Sequence, residues 1–187
     1  MNKRIVVFAS GSGSNFKNIV NKIKLHKLSA KIYLLVSNNP NCKAVNFAKR
    51  NGIDIFIYNS KIFPNDKNQI YLSEKLISYN LDLILLAGYM KKISTSIVNK
   101  YKNKILNIHP SLLPKYKGLN THFRAIKNRD KFAGCTVHHV SEKLDSGKII
   151  LQKKVKITKR DNPASLAKKV LKQEHKLYPA AIMKIFN

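Results

Sequence analysis

Asn107 and His109 stand two residues apart at the end of an apolar run that contains Ile105 and Leu106. Alternate side chains of a strand share a face, so an amide and an imidazole open onto one site. Pro110 and Pro114 follow, and neither a helix nor a sheet ladder continues easily through them. The pair therefore sits at a rigid strand-to-loop exit, where open α/β sheets bind ligands. A serine nucleophile needs a base aimed at it and sits poorly between two prolines, so Ser111 reads as a loop hydrogen-bonder.

A second cluster, GSGSN at residues 11–15, follows the apolar run RIVVFA. Phe16, Ile19, Val20, Ile23 and Leu28 then recur at helical spacing, with Ser14 or Asn15 in position to cap the helix. A strand, a glycine turn and a helix form an anion cradle of backbone N–H groups and a positive dipole end. A dinucleotide fingerprint needs a third glycine and an acidic residue about twenty positions on. Phe16 takes the glycine's place, and the second strand ends in Ser37, Asn38 and Asn39. A monophosphate held by Gly13, Ser14 and Asn15 fits better, although a plain βα turn would carry the same pattern.

Apolar runs and helical stripes alternate around these clusters. Residues 31–37, 53–58 and 81–87 read as strands, and 42–51 (ended by Gly52) and 67–79 as helices. This order predicts an α/β fold, a doubly wound, mostly parallel sheet with helices on both faces, in a single domain spanning 1–187. AGYMKKI, residues 87–93, leaves one of the strands, bringing Met90 as an adaptable apolar contact and Lys91 and Lys92 as positive charge, or simply as solvated lysines. A short helix over 120–128 precedes the alternating FAGCTVHHV, and Asp145, Ser146 and Gly147 mark the turn after it. The last helix starts at Asn162 with Pro163 in its first turn and buries Leu166, Val170, Leu171 and Leu177. Glu174 falls on that stripe and needs a partner, either a lysine or an amine-bearing substrate, and Pro179 is expected to kink or end the helix.

Composition bounds the rest. The formal charge is +27, yet 31 of the 36 basic residues are lysines scattered among Asn and Ile. A compositionally biased genome produces that mixture, and Tyr and Phe fall mostly in strands and helices as core. A nucleic-acid module would instead gather a basic stripe with stacking aromatics. Two cysteines cannot build a disulfide framework, and no apolar run reaches the length of a membrane span, so a cytoplasmic protein without membrane partners is expected. Cys135, His138 and His139 suggest a metal, but adjacent strand histidines face opposite ways and further ligands are lacking.

NIHPSLLPKYKG, residues 107–118, together with GSGSN, AGYMKKI and the Asp145 turn, resembles the folate-dependent formyltransferases. The resemblance implies 10-formyltetrahydrofolate as co-substrate, no metal, and formyl transfer to an amine without a covalent enzyme intermediate. It makes Asn107, His109 and Asp145 the catalytic set and assigns Gly13, Ser14 and Asn15 to a substrate phosphate. Met90, Lys91, Lys92, Ile93, Asn107, Ser141, Glu142, Lys143, Leu144 and Asp145 go to the folate, and Glu174 to the amine-bearing substrate. Family members typically carry arginine where Lys91 stands, and a lysine loses the planar fork. A further folate-contacting arginine is replaced by Asn65 or Lys67. Relatives acting on charged initiator tRNA add a C-terminal domain, and those releasing formate add an N-terminal one. A chain of 187 residues has room for neither, which together with the phosphate-sized loop favours phosphoribosylglycinamide, a purine precursor, as acceptor; a monomer or a homodimer is the expected assembly.

Overall fold

The computed structural model describes residues 2–187. Two compact units, 1–106 and 107–187, divide inside a strand.

The first unit begins with β1 (Lys3–Phe8), whose Ile5, Val6, Val7 and Phe8 are completely buried. Such a run belongs at the centre of a parallel sheet covered on both faces. Then come α1 (Ser14–Lys24), β2 (Ala30–Ser37), α2 (Lys43–Arg50), β3 (Asp54–Ile57), α3 (Ile70–Ile77), β4 (Leu83–Leu86), α4 (Thr95–Lys100) and β5 (Ile105–His109). β1 pairs in parallel with β2 and with β4, and β2 with β3. The chain thus runs outward from β1 to β3 and returns to the other side of β1, which puts a topological switch point between the carboxyl ends of β1 and β4.

Helix α3 is shorter than its apolar pattern predicts. Asp66 accepts the N–H groups of Ile70 (2.6 Å) and Tyr71 (3.1 Å), and Gln69 turns left-handed, φ 58°, so the helix cannot start earlier. Helix α4 is absent from the sequence reading: its six residues bury only Ile97 and Val98, too little for a visible stripe. It is fixed by Ser94, whose side chain accepts from the Ile97 N–H.

In the second unit, α5 (Thr121–Lys127) precedes the antiparallel pair β6 (Phe132–His139) and β7 (Ile149–Lys156). A side chain on Gly147 would run into the His139 carbonyl, so glycine is needed where the turn doubles back. Helix α6 (Pro163–Phe186) packs on β6, β7 and α5. Asn162 and Ser165 cap it reciprocally, with each side chain accepting the other's N–H at 2.9 and 3.0 Å. Of the two outcomes expected at Pro179, a kink or an end, the end does not occur; the backbone stays helical through it to Phe186. Beyond the proline, Ala181 and Ile182 are fully buried, and burial of that order, about 1.5–3 kcal/mol for an isoleucine, offsets much of a lost backbone bond.

Along the sheet the strands follow the order β3-β2-β1-β4-β5-β6-β7, the mostly parallel α/β arrangement that the alternation predicts. Among the described residues no helix is long and apolar enough to cross a membrane, and no cluster of three metal-ligating side chains forms.

Candidate active site

The end of β5 delivers what its two-residue period predicts. His109 is only 6% exposed, and its Nδ1 lies 3.4 Å from Asp145 Oδ2. Asn107 donates from Nδ2 to the other oxygen, Oδ1, also at 3.4 Å. Amide, imidazole and carboxylate therefore meet around one point, although residue 145 is 36 positions from His109 in the chain. Asp145 is held there in the left-handed region, φ 46°, a conformation that costs a non-glycine residue about 1–2 kcal/mol. The Gly118 N–H helps to hold it, donating to Oδ2 at 2.8 Å.

Burial by itself raises the Asp145 carboxyl, but hydrogen bonding from His138 and the Gly118 N–H, together with the charges of His109 and His138, outweighs it and keeps the carboxyl below its ordinary value. The group is thus a carboxylate at neutral pH. The charge of His109 reaches His122 on α5 as well, where burial first and that charge second lower the imidazole.

His138 is a site residue that sequence reasoning missed. Only 2% exposed, it donates from Nδ1 to the His139 carbonyl at 2.8 Å. Its Nε2, 3.2 Å from Asn107 Nδ2, accepts from the amide or, once protonated, donates toward Asp145 Oδ1 at 3.6 Å. The metal question drew attention to the histidine pair, but the useful signal was parity: one of two adjacent strand histidines must face inward. Ser111 donates to the Lys115 carbonyl at 2.6 Å, as a loop-former should.

Around the switch point of the first unit, the loops after β1 and β4 are tied together. Ser10 donates from its N–H to the Gly88 carbonyl (3.1 Å) and from its hydroxyl to Asn38 Oδ1 (2.5 Å), and it accepts the Met90 N–H (2.8 Å). The helix that follows is capped by neither Ser14 nor Asn15, a correction to the sequence reading. Gly13 itself is the cap residue, left-handed at φ 66° and without a side-chain cap bond. A Cβ there would come within 2.7 Å of the Ala44 Cβ. Gly13→Ala is expected to cost at least about 1–2 kcal/mol for the left-handed backbone, read as a lower urea midpoint with an unchanged slope.

Lys92 and Ile93 line an open cleft of about 710 Å³ together with Lys67 and Gln69, whereas Met90 stands 66% exposed. In the second unit Ser141, Glu142, Lys143 and Leu144 form the loop leading into Asp145, and Leu144 is solvent-exposed. Glu174 is 8% exposed on α6. Burial, with a smaller contribution from the charge of Glu174, pushes the Cys135 thiol up to about 12, so that thiol is no nucleophile.

These features define an open α/β protein with a donor-and-carboxylate site at a strand exit and a glycine cradle at a switch point. The formyl transferase family profile matches residues 3–182. Phosphoribosylglycinamide formyltransferase of Bacillus subtilis is 38% identical over 186 residues, covering 99% of this chain and 95% of the relative. The human trifunctional purine biosynthetic protein adenosine-3 is 37% identical over 183 residues; the match spans 96% of this chain but only 18% of that much longer protein. The crystal structure of phosphoribosylglycinamide formyltransferase from Bacillus halodurans superposes with a TM-score of 0.94 at 35% identity, covering 99% of this chain and 96% of that one. The chain belongs to the formyl transferase family and is a formyl-transfer enzyme.

Proposed function

We propose that the protein transfers the formyl group of 10-formyltetrahydrofolate to the amine of 5-phosphoribosylglycinamide, giving N-formylglycinamide ribonucleotide and tetrahydrofolate in purine synthesis. The observation that carries this reading is the meeting of Asn107, His109 and Asp145, each within 3.4 Å of the next. Attack of the amine on the formyl carbon pushes negative charge onto the formyl oxygen, and fixed donors lower that barrier. Asn107 donates its amide. His109, protonated and facing the Asp145 carboxylate, donates to the oxygen and then protonates the departing folate nitrogen. Asp145 orients the ring and accepts the amine's proton through water.

Gly13, Ser14 and Asn15 hold the substrate phosphate at the uncapped start of α1, and Glu174 takes the amine-bearing end. Met90, Lys91, Lys92, Ile93 and the loop 141–145 hold the folate. Exposed Met90 and Leu144 supply apolar surface for a flat ring, and the lysines supply charge for its carboxylates. Lys67, which lines the same cleft as Lys92 and Ile93, is the better substitute for the missing arginine; Asn65 does not line it. The family profile, spanning 3–182, supports treating the chain as one formyltransferase domain; a cytoplasmic monomer or homodimer completes the proposal.

The test is a transfer assay with both substrates beside a filter-binding titration against salt. Tetrahydrofolate forming only when the amine is present is the expected result. Formate release that ignores the amine would make the protein a hydrolase. Site-sized RNA binding without transfer would replace the enzyme by a nucleic-acid module.

A further inference from the structure

His109 has protein acceptors on both sides of its ring. Nε2 lies 2.9 Å from the main-chain carbonyl of Tyr116, and a carbonyl can only accept; of the acceptors on the two sides this one is at full hydrogen-bond distance, so the hydrogen of the neutral ring is assigned to Nε2. Nδ1 faces Asp145 Oδ2 at 3.4 Å, on the side where Asn107 approaches the same carboxylate. We propose that Tyr116 is a positioning residue for the reaction: its carbonyl pins Nε2–H, so that Nδ1 is the ring atom that exchanges the proton with the reactants. This rests on the reading of His109 as the acid of formyl transfer.

Tyr116 is anchored from behind. Its backbone is left-handed, φ 57°, which a tyrosine does not adopt without support. The support comes from its side chain. The hydroxyl donates to Asp130 Oδ2 at 2.9 Å and accepts from Asn128 Nδ2 at 2.9 Å. The Arg124 guanidinium stands 5.0 Å from the ring centroid and donates to the Lys117 carbonyl at 2.7 Å. Lys115 holds Asp130 in turn, at 3.2 Å. The ring is thus fastened to α5 and the turn after it, while the carbonyl of the same residue reaches His109.

The proton balance follows from this anchoring. As the tetrahedral intermediate collapses, the Nδ1–H bond breaks and an N–H bond forms on the departing folate nitrogen. The electron pair stays on Nδ1, and the ring is left as the neutral Nε2–H form that the Tyr116 carbonyl already holds. The proton released by the attacking amine passes through water to Asp145 and from its carboxyl to Nδ1, which restores the charged ring and the carboxylate.

Nitrogen NMR of histidine-labelled wild-type enzyme, above the titration of the ring, tests the assignment without requiring any variant to fold. The expected spectrum has a pyrrole-type Nε2 and a pyridine-type Nδ1 for His109, assigned by the signals lost in His109→Ala. A pyridine-type Nε2, or averaging between the two forms, overturns the proposal. Tyr116→Phe, which removes the hydroxyl anchors, and Tyr116→Gly, which tolerates the backbone but has no ring, are expected to lower kcat by about ten- to a hundredfold with KM nearly unchanged, and to mix the two ring forms. Loss of stability with kcat and ring form unchanged would make Tyr116 merely structural and overturn the proposal. If the wild-type spectrum is as expected but His109→Ala still turns over normally, the reading of His109 as the acid fails while the pinning by Tyr116 stands.

Discussion

Replacing His109 with alanine lowers turnover by about 100- to 1000-fold, the usual cost of removing one donor from a developing oxyanion, and more if the same ring also protonates the leaving nitrogen. The expected pattern is a fall in kcat with KM for either substrate little changed, because the lost interaction is made in the transition state and not in the ground state. The ring is buried between the Tyr116 carbonyl and Asp145, so the variant takes the ring donor from that carbonyl and one of several partners from the carboxylate. That costs about 1–3 kcal/mol for a neutral acceptor and more for a charged one, against about 5–15 kcal/mol for a typical domain. A lower melting temperature with a native circular dichroism spectrum is therefore expected beside the kinetic loss. Near-normal turnover in a folded variant would take His109 out of the mechanism.

Period-two geometry made the Asn107 and His109 pair legible in the sequence, since a strand permits only one way for residues two apart to face. The first βα unit was legible for a similar reason: a fully apolar β-branched run has no other use than a covered central strand. What could not be read depends on neighbours distant in the chain. His138 joins the site through Asn107 and Asp145, contacts that only the assembled sheet creates. The Tyr116 carbonyl and the Gly118 N–H are main-chain atoms with no residue signature at all. Asp145 was a turn former by its local pattern and a site residue only by resemblance. That the helix runs on past Pro179 was not legible, because its ring argues locally against a helix, whereas the burial of Ala181 and Ile182 on the far side favours continuing it. The cap of α1 was misread. Two good capping side chains lie next to it, yet the close approach of Ala44 requires glycine at the cap position itself.

Asp145→Asn separates charge from shape at the same site. The amide keeps the volume and one acceptor oxygen for the Gly118 N–H, but it removes the negative charge facing His109 and aims an N–H₂ group either at that ring or at the donor amide of Asn107. Turnover is expected to fall by about 100-fold or more, because the charged imidazole loses its partner and the amine's proton loses its acceptor. Stability changes with a definite sign. The folded carboxyl is held below its ordinary value of 3.8, so its contribution is fully present above that pH and is lost as the pH falls through the depressed value. Urea midpoints of wild type and variant should therefore differ by a constant amount from neutral pH down to about pH 4.5 and converge below pH 3.8. Convergence already between pH 7 and 5 would mean that the folded carboxyl takes up its proton in that range, so that burial rather than its hydrogen bonds governs its titration. A variant with wild-type turnover would leave Asp145 a turn residue with no part in the mechanism.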